Sequence, residues 1–227
     1  MQTWLSWSTG KDSAWSLHVL RATPGVEVTG LFTTLNAAFD RVAMHAVRRS
    51  LLEMQADAAG LPLHVVDIPH PCSNADYERI MGTCIDTART HGVAAMAFGD
   101  LFLADIRAYR EARLAGTGIK PLFPLWQRDT HALARGMIAS GLVAHLTCVD
   151  PARLPRAFAG RMFDAHLLAD LPQGVDPCGE NGEFHTCVSA GPMFRTALAV
   201  EVGDIVERDG FVFADLLPRG VRAHEVT

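Results

Sequence analysis

The chain has 227 residues and is 49% apolar, which is enough to bury a real core as one large domain or as a domain with a smaller partner. That composition excludes disorder, and a net charge of −5 with no basic run longer than Arg48–Arg49 argues against a nucleic-acid surface built on bulk charge. No apolar stretch approaches the roughly 20 residues that cross a bilayer, and the N-terminus shows no signal-peptide pattern, so a cytoplasmic protein without a membrane partner is expected.

Residues 3–7 read as a short strand and 12–22 as the helix that follows it. The β-branched run at 26–34 predicts a second strand. Val47, Leu51, Met54 and Ala58 recur at the spacing of one helix face, predicting a helix over 42–59 that Gly60 stops. A strand over 63–68, a helix over 74–91 and a continuous apolar strand over 93–98 come next. A helix is expected at 102–115. With two prolines, 120–126 is an edge strand or an extended connection. A helix over 129–140 and a strand over 142–149 continue the alternation. Such alternation implies an α/β fold: a doubly wound, mainly parallel, five-stranded sheet with helices on both faces. After Asp150 the pattern changes. Residues 151–183 are irregular apart from a helix near 161–169, and 184–189, 196–207 and 211–216 read as antiparallel strands. The expected division is a nucleotide-binding part over 1–125 and a smaller α+β part over 126–227.

Cys72, Cys84, Cys148, Cys178 and Cys187 form no CxxC pair, so they are expected as reduced, mostly buried thiols rather than a disulfide or zinc framework. Only Lys11 and Lys120 are lysines among 20 basic residues, an arginine bias that suggests a GC-rich bacterial source.

One of those two lysines sits in the stretch Ser8-Thr9-Gly10-Lys11-Asp12-Ser13, between the first strand and the first helix. A helix N-terminus offers free N–H groups and partial positive charge to a phosphate, Gly10 lets the backbone approach an anion, and Ser8, Ser13 and Lys11 add donors. Neither the GxxxxGK[ST] nor the GxGxxG spacing is met. Gly99-Asp100 ends the fourth strand, so Asp100 is expected to face this loop across the switch point of the sheet. There it would serve a Mg²⁺ ion, cap the following helix, or do both. The other unusual stretch is DPCGENGEFHT at 176–186. Glu180, Asn181, Glu183 and His185 crowd between glycines, and such groups repel or desolvate one another unless partnered. A plain surface loop is the alternative.

The loop S-x-G-K-D-S resembles that of the PP-loop, or N-type ATP pyrophosphatase, superfamily, whose sheet is of the HUP type. Its commonest form is Ser-Gly-Gly-Lys-Asp-Ser, and Thr9 in place of the first glycine is tolerated if position 9 does not need a positive φ. Within that superfamily the chain resembles the diphthine–ammonia ligase family. The matching segments cover nearly the whole chain: STGKDS at 8–13, His45, GLPL at 60–63, FGD at 98–100, PLWQRD at 124–129, GENGEFHT at 179–186 and GPMF at 191–194. The resemblance implies ATP-dependent amidation: a carboxylate attacks the α-phosphate, pyrophosphate leaves, and ammonia displaces AMP. It implies ATP and Mg²⁺ at Ser8, Thr9, Gly10, Lys11, Asp12 and Ser13, with adenine near Thr33 and Thr34. Lys11, Asp12, Asp100, Glu180 and Glu183 fall to catalysis, and His45, Arg107, Asn181 and His185 to the substrate side. The acid is either protein-bound diphthine or a small metabolite, and a homodimer is compatible with this reading. A non-catalytic adenine-nucleotide sensor is the alternative, disfavoured by the intact Lys11-Asp12-Ser13 and the second acidic motif.

Overall fold

The computed structural model of the chain describes residues 1–38, 41–42 and 47–219. The first half is built from β1 (Gln2–Ser6), α1 (Lys11–Arg21), β2 (Glu27–Asn36), β3 (Arg41–Val42), α2 (Arg49–Ala59), β4 (Leu63–Ile68), α3 (Asn74–Thr90), β5 (Ala95–Ala97), α4 (Ala104–Leu114) and β6 (Lys120–Leu122). β2 pairs in parallel with β1 on one edge and with β4 on the other, and β1 pairs in parallel with β5, which pairs with β6. The five parallel strands therefore run β4-β2-β1-β5-β6. The two-residue β3 adds an antiparallel bridge at Leu35 and Asn36. Side chains alternate across this sheet as strand geometry requires. Leu5, Leu31 and Ala97 face one apolar cluster with α1 and α2. Trp4, Phe32 and Met96 face another with Ala88 of α3 and Leu114 of α4.

The second half holds α5 (Thr130–Ala139), β7 (Val143–Val149), α6 (Ala165–Asp170), β8 (Phe184–Ala190), β9 (Val200–Arg208) and β10 (Phe211–Pro218). These four strands form an antiparallel sheet in the order β8-β7-β10-β9. The strand expected at 142–149 thus does not continue the parallel sheet. It is central to the second one, between β8 and β10. The apolar run that makes it look like a parallel-sheet strand reflects burial on both faces, which a central antiparallel strand also has. The core is continuous between the halves: Leu17, Leu51 and Leu52 lie in the same buried cluster as Leu146, Val188 and Val212.

Several boundaries move for local reasons. The second helix starts at Arg49 rather than near 42, because Val42 is paired in β3 and its N–H donates to the Val47 carbonyl at 2.9 Å. β6 ends at Leu122, where Pro124 can no longer donate to a ladder. β9 begins at Val200 and α6 at Ala165, each later than the apolar pattern suggests. Among the described residues no helix is long and apolar enough to cross a membrane.

Candidate active site

The chain reverses its direction of strand addition between β1 and β5, and a cavity of about 910 Å³ opens at the C-terminal ends of these strands. Ser6, Trp7, Ser8, Lys11, Asp12 and Ser13 line it from the first strand–helix junction, and Phe32, Thr33 and Thr34 from the end of β2. Phe98, Gly99 and Asp100 close it after β5, Tyr77 and Met81 come from α3, and Glu180, Asn181, His185 and Thr186 from the second half. The two unusual stretches of the sequence are therefore opposite walls of one cleft.

The loop itself is tightly built. Gly10 is the N-cap of α1 and offers no side-chain cap; instead the Ser13 hydroxyl donates to the Gly10 carbonyl at 2.9 Å. The Ser8 and Ser13 hydroxyls lie 3.2 Å apart, and the Ser8 Oγ receives the Gly10 N–H at 3.4 Å. The Lys11 N–H donates to the Thr186 Oγ1 at 3.0 Å, so the second half meets the loop at its backbone. Gly99 lets the end of β5 press against this turn: a Cβ there would come within 3.1 Å of the Asp12 and Ser13 backbone. Thr9 takes a φ of 72°, so the position does need the left-handed region and the condition for an unstrained threonine is not met. A β-branched residue is strained there. The Thr9 carbonyl is held by two donors, the Val188 N–H at 3.0 Å and the Gln55 Nε2 at 3.1 Å.

Lys11 is 2% exposed. Its ammonium donates to Asp12 Oδ2 at 2.8 Å and to the Cys178 carbonyl, between the rings of Phe163 and Phe184. Burial works against this charge, but Asp12 and the other nearby acidic groups outweigh it, and the Lys11 pKa rises above its ordinary value. Asp12 Oδ1 is buried and has no hydrogen-bond partner.

Asp100 lines the cavity, as expected, but it does not cap α4, whose N-cap is Leu103. Both of its oxygens accept from Arg110, at 2.6 and 3.1 Å, and that guanidinium lies 4.4 Å from the Phe98 ring centroid. Arg107, one turn away, is not among the lining residues. It stacks on Phe123 and Trp126 and pairs with Glu111 at 2.7 Å. Asp129 caps α5 by accepting the Ala132 N–H at 2.7 Å. His45 lies outside the described residues.

The acidic loop separates its two glutamates. Glu183 is fully buried and does not line the cavity. Its Oε1 accepts the Asp176 N–H and the Asn181 Nδ2, both at 3.1 Å, and its Oε2 accepts the Asn181 N–H at 2.9 Å. Glu180 reaches across the cleft, and its Oε1 receives the Leu101 N–H at 2.8 Å and the Phe102 N–H at 3.5 Å. Burial raises the Glu180 pKa to about 7. Burial, helped by the Lys11 charge, lowers that of His185 to about 4, so this histidine is neutral near pH 7. Gly179, at φ 70°, allows the tight turn: a Cβ there would meet the Phe184 carbonyl at 2.7 Å.

The sequence model of the Diphthamide synthase N-terminal domain matches residues 1–121, and that of the Diphthamide synthase C-terminal domain matches 129–214. The chain belongs to the diphthine–ammonia ligase family. It is 33% identical to the human Diphthine–ammonia ligase over 91% of this chain and 85% of that protein. It is 27% identical to the Danio rerio Diphthine–ammonia ligase over 91% of this chain and 89% of that one. A 35% identical match to the Schizosaccharomyces pombe Diphthine–ammonia ligase spans 40% of this chain and 16% of that protein. As a member of the diphthine–ammonia ligase family the chain is an enzyme, an ATP-dependent ligase.

Three supports of the site escaped the sequence reading. Gln55 is fully buried on the apolar face of α2, where it accepts from Trp7 Nε1 at 2.8 Å and donates to the Val188 carbonyl at 2.6 Å. An uncharged polar residue amid Leu51, Leu52, Ala58 and Ala59 was a readable signal. Thr186 was quoted only within its motif. Nothing in the sequence marks the Cys178 carbonyl, because a backbone group has no side-chain signature.

Proposed function

We propose that the cleft binds ATP with its phosphates on the Ser8–Ser13 loop and joins ammonia to a carboxylate through an acyl-adenylate. The observation that carries the reading is the meeting of the loop with the acidic stretch in one cavity, fastened by Lys11 to the Cys178 carbonyl and by Thr186 to the Lys11 N–H. The N-terminus of α1 and the Lys11 ammonium stabilise charge that builds on the departing pyrophosphate. The carboxylate oxygen attacks the α-phosphorus, the bond to the β-phosphate oxygen breaks, and ammonia then attacks the acyl carbon and expels AMP. Thr33 and Thr34 line the cavity at the end of β2, which supports an adenine site there.

The donors present fit a Mg²⁺ ion. The unpartnered, buried Asp12 Oδ1 is a carboxylate oxygen beside the phosphate loop, and Mg²⁺ is commonly held by one or two carboxylates together with substrate phosphates. When bound, the ion would neutralise phosphate charge. Asp12 is better suited than Asp100, whose two oxygens are engaged by Arg110. The acid it acts on is the carboxylate of a diphthine-like group, as in the relatives' name, or a small metabolite acid.

The test is incubation of the purified chain with ATP, Mg²⁺, ammonium and a panel of acids. The expected result is equimolar AMP, pyrophosphate and amide, with heavy oxygen passing from a labelled acid into AMP. Formation of ADP, or of AMP without label, refutes the adenylate route.

A further inference from the structure

We infer that Glu180, and not Glu183, receives the ammonium ion in this cleft and takes its proton. The assignment rests on the ligase reading above and divides two residues that the sequence presents as a pair.

Glu183 is spent on its own loop. Each of its oxygens accepts a backbone N–H, Asn181 adds a side-chain donor, and the Arg153 guanidinium stands 3.8 Å away. Its bonds tie Asp176 to Asn181 and so fix the shape of the turn. A fully buried carboxylate whose oxygens already hold these donors has no room for a ligand.

Glu180 is half committed. Two backbone N–H groups just before α4 fix one oxygen; among the described residues the other has no hydrogen-bond partner, and it belongs to a residue that lines the cavity. The cations nearby do not satisfy it. Lys11 is engaged by Asp12 and the Cys178 carbonyl, and Arg110 by Asp100. Asp12 pairs with the Lys11 ammonium and offsets its charge, so the nearest cation is not left over for the free Glu180 oxygen. The ligand it lacks is a small cation that can donate hydrogen bonds, which describes ammonium. His185 also lines the cavity, but its lowered proton affinity makes it the weaker base, while burial strengthens Glu180. In the step, one N–H bond of ammonium breaks and its proton passes to the free Glu180 oxygen. The released lone pair attacks the acyl carbon, the acyl carbon–oxygen bond to AMP breaks, and the second surplus proton leaves the nitrogen for solvent. Glu180 returns its proton to solvent before the next turnover.

The test is crystallographic and needs no knowledge of the acid. Full-length protein is crystallised with α,β-methylene-ATP, and crystals are soaked separately in thallium(I), an anomalous scatterer that stands in for ammonium, and in manganese(II), which stands in for Mg²⁺. The expected result is a thallium peak in contact with Glu180 in the wild type, lost in Glu180→Gln and kept in Glu183→Gln, with manganese on the phosphates. The wild-type map decides even if a variant fails to fold. Thallium elsewhere in a nucleotide-filled cavity, or manganese at Glu180, overturns the assignment and leaves the ligase reading intact. Crystals in which the cavity takes no nucleotide overturn both.

Discussion

Replacing Thr9 with glycine should stabilise the protein, although it removes a buried side chain. Thr9 is fully buried at φ 72°, a conformation that costs a β-branched residue about 1–3 kcal/mol. Its hydroxyl is buried with only the Cys187 thiol, a weak partner, beside it, which adds about 1–2 kcal/mol of desolvation. Against this, glycine loses about 1 kcal/mol of methyl burial and another 0.5–1 kcal/mol in chain entropy. The balance favours Thr9→Gly by about 1–2 kcal/mol. For a chain of this size that is a rise of about 2–8 °C in melting temperature. The turn should survive, because the Thr9 carbonyl keeps its bonds from Val188 and Gln55 whatever the side chain. Thermal and urea unfolding of the ligand-free protein measures the effect, with Thr9→Ala as the control. Alanine removes the hydroxyl but keeps a Cβ at positive φ, so it should gain less than glycine. If alanine gains as much as glycine, the backbone-strain argument is refuted and hydroxyl burial carries the effect. If neither gains, both arguments fail.

Gln55→Leu strands the buried Trp7 N–H and takes the Gln55 donor from the Thr9 and Val188 carbonyls, the first of which keeps the Val188 N–H, so it should cost about 2–3 kcal/mol in urea unfolding and weaken nucleotide binding. His185 carries its own pH signature. Its folded pKa of about 4 lies below the unfolded 6.5, so its contribution to stability is present above pH 6.5 and is lost as pH falls toward 4. His185→Gln should flatten that acid limb by about 3 kcal/mol; an unchanged slope between the two pH values would show that the ring is not held neutral. Glu180 has the opposite sign. Its folded pKa of about 7 lies above the ordinary 4.5, so stability is lost as pH rises between them. Glu180→Gln, which still accepts from Leu101, should therefore be more stable than wild type at pH 8 by about 1–2 kcal/mol after discounting for partial exposure, as read by melting temperature. Lys11→Met leaves Asp12 and the Cys178 carbonyl without their shared donor and should abolish detectable binding of ATP in calorimetry.

What the sequence made legible follows from where the information is local. The strand–loop–helix junction at Ser8–Ser13 and the crowded acids at 179–186 are short-range patterns, and both are in the cleft. The placement of β7 was misread because burial on both faces is a property of a central strand in either kind of sheet, and only pairing with β8 and β10 distinguishes them. The division of labour between Glu180 and Glu183 was unreadable for a related reason. Two glutamates three positions apart are chemically identical in one dimension; the partners that separate them are backbone N–H groups of Leu101, Asp176 and Asn181, which every sequence would supply. The Thr9 substitution shows the converse. Its carbonyl is held by Val188 and Gln55, far away in sequence, so the superfamily's commonest glycine at this position was the only sign in the sequence that the backbone turns left-handed there. A threonine at such a position means that the surrounding contacts outweigh its strain, and the Ser8–Ser13 loop is held in shape by the second sheet as much as by its own residues.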